Sequence, residues 1–223
     1  MQAIAKVTRG AIDVRQVLAL LGLTPEVLSD AILFGEKYRA LCTPNDPRIF
    51  QGTTAWARTH RGLRESLIPL DWKKDDTGGF DTVVNPDGSL AVSVTTGGKG
   101  TGRYTPGANP KLKHPHGVLY KDVVDQNRSA QFLFPDMAAD AKARADKIVA
   151  AATRSTWILL IRREGDVVFS ELSLPLQFSG GGQVEDWKYR IVLEPLDADP
   201  IADIGDDAGE DGGEEIDIPV SLR

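Results

Sequence analysis

The residues that usually announce a chemistry are scarce in this chain. Of 223 residues one is cysteine, Cys42, and three are histidine. A single cysteine forms no internal disulfide, which fits a reducing, cytoplasmic setting. No run of about 18 apolar residues occurs, so neither a membrane span nor a membrane partner is expected. Lys6 and Arg9 precede an apolar segment, but Asp13, Arg15, Gln16 and Gly22 interrupt it, and it fails as the core of a signal peptide. The spacings of common active sites are missing too, with no GxSxG elbow, SxxK, HExxH, CxxC pair or phosphate loop of the GxxxxGKS or GxxxxGKT type. No cofactor is expected.

Charge of one sign is concentrated. The formal net charge is −6, but from Asp197 onward ten acids face one base, Arg223. The preceding residues carry 25 bases against 22 acids, a net charge of about +3. The acidic character therefore belongs to the end of the chain. Residues 197–223 cannot bury enough apolar surface to offset their ordering entropy and read as an acidic disordered tail. Its last residues, Ile216, Ile218, Val220 and Leu222, alternate with polar ones and could add a strand to a sheet edge, in this chain or a partner.

Regular patterning occupies most of the remainder. Val14, Val17, Leu18 and Leu21 recur at helical spacing up to Gly22, and Thr24-Pro25-Glu26 supplies an N-cap, a first-turn proline and a first-turn acid for a second helix reaching about residue 42. The LLGLTPEVL spacing resembles a helix-turn-helix. Its second helix, however, opens with Glu26, Ser29 and Asp30, which a phosphate backbone repels, and an ordinary helical hairpin explains the same spacing. A third helix is expected from about Thr53, with Trp56, His60, Leu63 and Leu67 on one face and Arg58, Arg61 and Arg64 on another. His60 on the apolar face reads as a packing residue.

Residues 80–95 read as a β-hairpin around the turn Asn85-Pro86-Asp87-Gly88. Residues 155–196 read as three consecutive strands, the second limited by Pro175 and the third alternating Trp187, Tyr189, Ile191 and Leu193 toward the core against Lys188, Arg190 and Val192. A short mixed segment is expected around Tyr120 and Val124, and an alanine-rich helix from Asp136. The fold expected is α+β, with a mainly antiparallel sheet built from the hairpin 80–95 and the meander 155–196 and covered by helices. A single domain spans 1–196, its N-terminal part to about residue 69 helical, followed by the tail 197–223.

Between hairpin and meander, residues 96–117 hold six glycines and three prolines. A loop of that length within a compact domain is uncommon and is usually functional or mobile. From Lys99 to Lys121 it carries five bases and two histidines with no acid. Gly97 to Arg103 could wrap backbone N–H groups around a phosphate, although no helix clearly follows to supply a dipole. His114-Pro115-His116 has metal-ligand spacing, but a third ligand, Cys42, His60 or Asp122, would have to come from the fold, and no metal site is assigned. Cys42 with His60 lacks an orienting third residue for nucleophilic chemistry. Glu171 alternates with apolar residues and reads as a solvent-facing carboxylate.

Two functions fit. The first is a non-enzymatic binding or assembly protein with a protein partner, contacting nucleic acid or another phosphate-rich partner through Lys99, Arg103, Lys111, Lys113, His114 and His116 with Arg58, Arg61 and Arg64, modulated by the acidic tail. The second is an enzyme acting on a phosphate-bearing substrate under loop 97–117. The missing catalytic motifs favour the first.

Overall fold

A computed structural model describes residues 5–106, 109–129 and 154–198. The described elements are β1 (Lys6–Thr8), α1 (Ala11–Leu20), α2 (Pro25–Ala40), α3 (Phe50–Leu67), β2 (Lys73–Asp75), β3 (Thr82–Val84), β4 (Leu90–Thr96), α4 (Val118–Ser129), β5 (Ser155–Glu164), β6 (Val167–Phe178), β7 (Val184–Val192) and β8 (Leu196–Asp197). The strands form one sheet in the order β1-β7-β6-β5-β4-β3-β2, with β8 beside the start of β6.

The sheet is mixed, which corrects the expected mainly antiparallel one. Strands β4 and β5 run parallel, with Val92 opposite Trp157 and Val94 opposite Leu159, and β1 runs parallel to β7. The hairpin and the meander do exist as antiparallel units. What joins them is a crossover long enough to return the chain to the start of the sheet, and a crossover of that kind produces a parallel neighbour. Composition within each strand is silent on that choice.

Strand alternation divides the structure into two layers. On one face Val92, Val94, Trp157, Leu159, Leu172 and Ile191 pack against Val14 and Leu18 of α1, Leu28 and Ile32 of α2, and Leu63 and Leu67 of α3. On the other, Ile158, Leu160 and Trp187 pack against Leu112 and Tyr120. The first helix pair forms where expected. Thr24 Oγ1 accepts the Val27 N–H, Pro25 opens α2, and the two helices bend by 97°. Helices α2 and α3 approach so closely that a Cβ on Gly35 would lie 2.2 Å from Thr59 Oγ1. Among the described residues no single helix is long and apolar enough to cross a membrane.

Three further differences from the sequence reading have physical causes. The segment around Tyr120 and Val124 is helix α4, whose Asn127 repairs the sheet. Pro175 of β6 has no N–H to offer β5, and Asn127 donates to the carbonyls of Thr156 and Pro175 while accepting the Thr156 N–H at 2.7 Å. In β7 the register shifts so that Leu174 pairs with Tyr189 but Pro175 with Trp187. The extra residue, Lys188, is a bulge, and it turns Trp187 onto the face opposite Tyr189. Asp197 and Ala198, read as the start of the tail, belong to the folded body, since β8 (Leu196–Asp197) pairs with β6 and Ala198 is buried. The expected alanine-rich helix and the strand-like segment 216–222 lie outside the described residues, as does the acidic stretch after Ala198.

Candidate functional site

The glycine-rich loop after β4 lies against the sheet face opposite α1, α2 and α3. Its two arms pair at Gly97 and Leu112, and the Gly98 N–H donates to the Lys111 carbonyl at 2.6 Å. Further along, Trp187 Nε1 donates to Pro110, Leu112 N–H to Gln183, and His116 N–H to Gly182. The loop is thus tied to β7 and to the turn before it.

Its centre is held by an ion pair that strand periodicity assigned to solvent. Glu171 and Arg190 have side chains 0% and 2% exposed. Arg190 Nη2 lies 2.7 Å from Glu171 Oε2 and also donates to the carbonyl of Arg103 at 3.0 Å. Glu171 additionally accepts the Gly102 N–H at 3.0 Å and the Ser173 hydroxyl at 2.8 Å. Neither Glu171 nor Arg190 has a buried side-chain atom left without a partner, the condition under which a buried charge pair is tolerated. Gly102 is the point of closest approach. Its φ is +66° and a Cβ there would lie 2.7 Å from Ser170 N, so only glycine lets the loop reach the carboxylate. The expected solvent-facing Glu171 is instead the anchor of the loop. A buried Glu and a buried Arg on neighbouring strands carry no local signature, because each alternates with apolar neighbours just as a surface residue would.

The outward side of the loop is basic. Lys111 and Lys113 flank buried Leu112 and so project to one side of an extended segment, and Lys99 follows Gly98, which is bonded to Lys111. All three are exposed, as is His114, and among the described residues none of these four side chains makes an ion pair. Arg103 differs, being paired with Glu164 and lying 4.4 Å from the Phe169 ring. His116 turns inward, its ring 4.0 Å from that of Tyr120 and its Nε2 3.3 Å from Thr95 Oγ1. Burial, with the charge of His114 adding to it, lowers the His116 imidazole, and burial pushes the Tyr120 hydroxyl up to about 12. Both rings are neutral packing groups at pH 7.

The arginine stripe of α3 stands on the other side of the sheet. Arg58 lies over Tyr38 at 4.2 Å, Arg61 pairs with Glu65, and Arg64 pairs with Asp76. The three do not join the loop in one surface. His60, also on α3, completes the sheet. Strand β3 stops short of Val94, and His60 Nε2 accepts the Val94 N–H at 3.3 Å while Trp56 Nε1 donates to the Val94 carbonyl at 2.9 Å. Burial, reinforced by the Arg64 guanidinium, lowers His60 to about 4, so it stays neutral as that acceptor. Among the described residues no three His, Cys, Asp or Glu side chains come together as a metal site would require, and Cys42 points its Sγ toward the Tyr38 carbonyl within its own helix end.

Comparison of the chain with protein-family models, curated proteins and solved structures finds no match.

Proposed function

We propose that this is a non-enzymatic binding protein that docks a phosphate-rich partner, nucleic acid foremost, on the outward side of its clamped loop through Lys99, Lys111, Lys113 and His114. The observation that carries the reading is the combination of unpaired lysines with a loop anchored by Glu171 and Arg190. Lysines held on an ordered backbone lose less freedom on binding than lysines on a mobile one, and each phosphate they meet releases a counterion. Arg103 supports the loop and is not among the contacts. The ten acids from Asp197 onward supply a competing polyanion of the right sign to lower affinity for the same lysines.

Fluorescence anisotropy with single-stranded DNA, duplex DNA and RNA at low and physiological salt tests this. The full chain, K99A/K111A/K113A and a chain ending at Ala198 are compared; ending at Ala198 keeps β8. The triple variant is expected to flatten the log-log salt dependence by about 2 to 3, and removal of the acids to tighten binding. Absence of binding at low salt by both the full chain and the chain ending at Ala198 rejects the proposal.

A further inference from the structure

The clamped loop also presents an aromatic ring. Tyr104 is 44% exposed and follows Arg103, whose carbonyl accepts from Arg190 Nη2 at 3.0 Å. The same nitrogen donates to the Gly100 carbonyl at 3.4 Å, and the Arg103 N–H donates to that carbonyl at 3.2 Å. Residues 100–103 therefore form a tight turn pinned to β7 at both ends, and Tyr104 leaves it on a fixed backbone.

Behind the ring stands Arg9. It follows β1, whose Val7 lies opposite Arg190 in register, and its guanidinium carbon is 4.4 Å from the centre of the Tyr104 ring. One buried arginine thus sets both partners, through the carbonyl before Tyr104 and through the strand before Arg9. Arg9 is exposed and has no ion pair among the described residues. With a guanidinium against one face, the exposed area of the ring lies on its edge and its other face. A guanidinium on a surface ring is ordinary by itself. A fixed ring, open on one side and backed by an uncompensated cation, is also a platform on which a nucleobase stacks.

The lysines are close by. A tight turn brings its end residues within about 7 Å, so Lys99 and Tyr104, each one residue outside it, have Cα atoms at most about 15 Å apart. Gly98, bonded to the Lys111 carbonyl, brings that lysine alongside Lys99. The nearby acids Glu171 and Glu164 are engaged by Arg190 and Arg103. We infer that the phosphate-rich partner proposed for this loop is a single-stranded nucleic acid, held at its phosphates by the lysines and Arg9 and at one base by stacking on the open face of Tyr104; this rests on the phosphate-binding role of the loop and adds a base contact to it. In a duplex the bases are already paired and stacked, so the ring gains nothing there. An unpaired base offers a π-face whatever its identity.

Fluorescence anisotropy with the full chain compares an oligothymidylate, an oligouridylate, an abasic strand of equal length and a duplex. The thymidylate and uridylate strands, which differ in sugar, are both expected to bind about tenfold tighter than the abasic strand, which keeps the phosphates and lacks the bases. Y104A removes that preference and leaves binding to the abasic strand and the duplex within about twofold of wild type. Y104W keeps the preference. K99A/K111A/K113A weakens all four probes, which separates charge from stacking. Thermal melts report whether Y104A is folded. Stacking is overturned if wild type binds the abasic strand as tightly as the other two, or if folded Y104A keeps the preference or loses duplex binding to the same extent. Lysine-dependent binding would then still stand, and the loop's phosphate-binding role with it. If no strand binds at low salt, either to the full chain or to the chain ending at Ala198, both fall.

Discussion

The two faces of the sheet are built by different means. The helix-covered face is apolar, with Leu18, Leu28, Ile32, Leu63 and Trp157 at 0 to 1% exposure, and non-directional burial holds it. The loop-covered face has Thr95, Ser93, Ser173, Glu171 and Arg190 among its buried residues, and the glycine-rich loop lies over that part of it, beside the apolar cluster that Tyr120 of α4 joins. A loop offers little apolar surface, so directed hydrogen bonds to fixed charges do there what side-chain packing does on the other side. A helix layer tolerates small shifts, whereas a charge clamp works at one geometry. That makes the loop face the more brittle of the two and the better suited to present side chains in fixed positions.

The comparison breaks most sharply at the clamp. E171A removes the carboxylate that faces the buried Arg190 guanidinium, and the expected loss is about 3 to 5 kcal/mol in urea denaturation. Early exchange of the Gly102 amide should accompany it. The double variant E171M/R190M should recover most of that stability, because two apolar side chains of similar size leave no buried charge. If E171A were as mild as a surface change, the loop would be held by something other than this pair.

On the helix face the largest effect is conditional on pH. The folded-state imidazole of His60 is lowered to about 4, below the ordinary value of about 6.5. The unfolded chain therefore takes up the proton first as pH falls. Stability from this group is present above about pH 6.5 and is lost progressively toward pH 4, at most about 3 kcal/mol in total. Denaturant melts at pH 7.5 and 4.5 should show that H60Q has a smaller acid sensitivity than wild type; equal slopes would remove His60 from the account.

A smaller change is expected where α2 and α3 cross. G35A pushes a methyl group against Thr59 and the Ala55 carbonyl, and overpacking of this kind costs about 1 to 3 kcal/mol. The companion substitution T59A, which vacates part of the space, should restore some of it in a double-mutant cycle. Smallest is K121A. Its pair with Asp125 lies on the exposed side of α4, and a denaturant melt should not distinguish it from wild type.

Local pattern made much of the fold legible. The bounds of α1 and α2 follow from helical spacing, Gly22 and the Thr24-Pro25 start, because capping and periodicity are properties of a few adjacent residues. The strands of the meander follow from alternation and their turns. The basic character of residues 99–113 was likewise plain in the sequence, and so was the packing role of His60. Helix α4 was obscured because its buried residues, Tyr120, Val124 and Asn127, include a polar one whose partner lies in β5 and β6.

By itself, then, the sequence determined the helices α1 to α3, the hairpin and the strands of the meander, and where positive and negative charge concentrate, since those depend on neighbours in the chain. Tertiary structure alone decided that β4 and β5 run parallel, that Glu171 and Arg190 are buried together, and that the arginines of α3 stand apart from the lysines of the loop. Each of these depends on which distant segment is placed alongside. A two-residue period assigns a side chain to one face or the other, and only the covering element determines whether that face meets water, a helix or a glycine-rich loop.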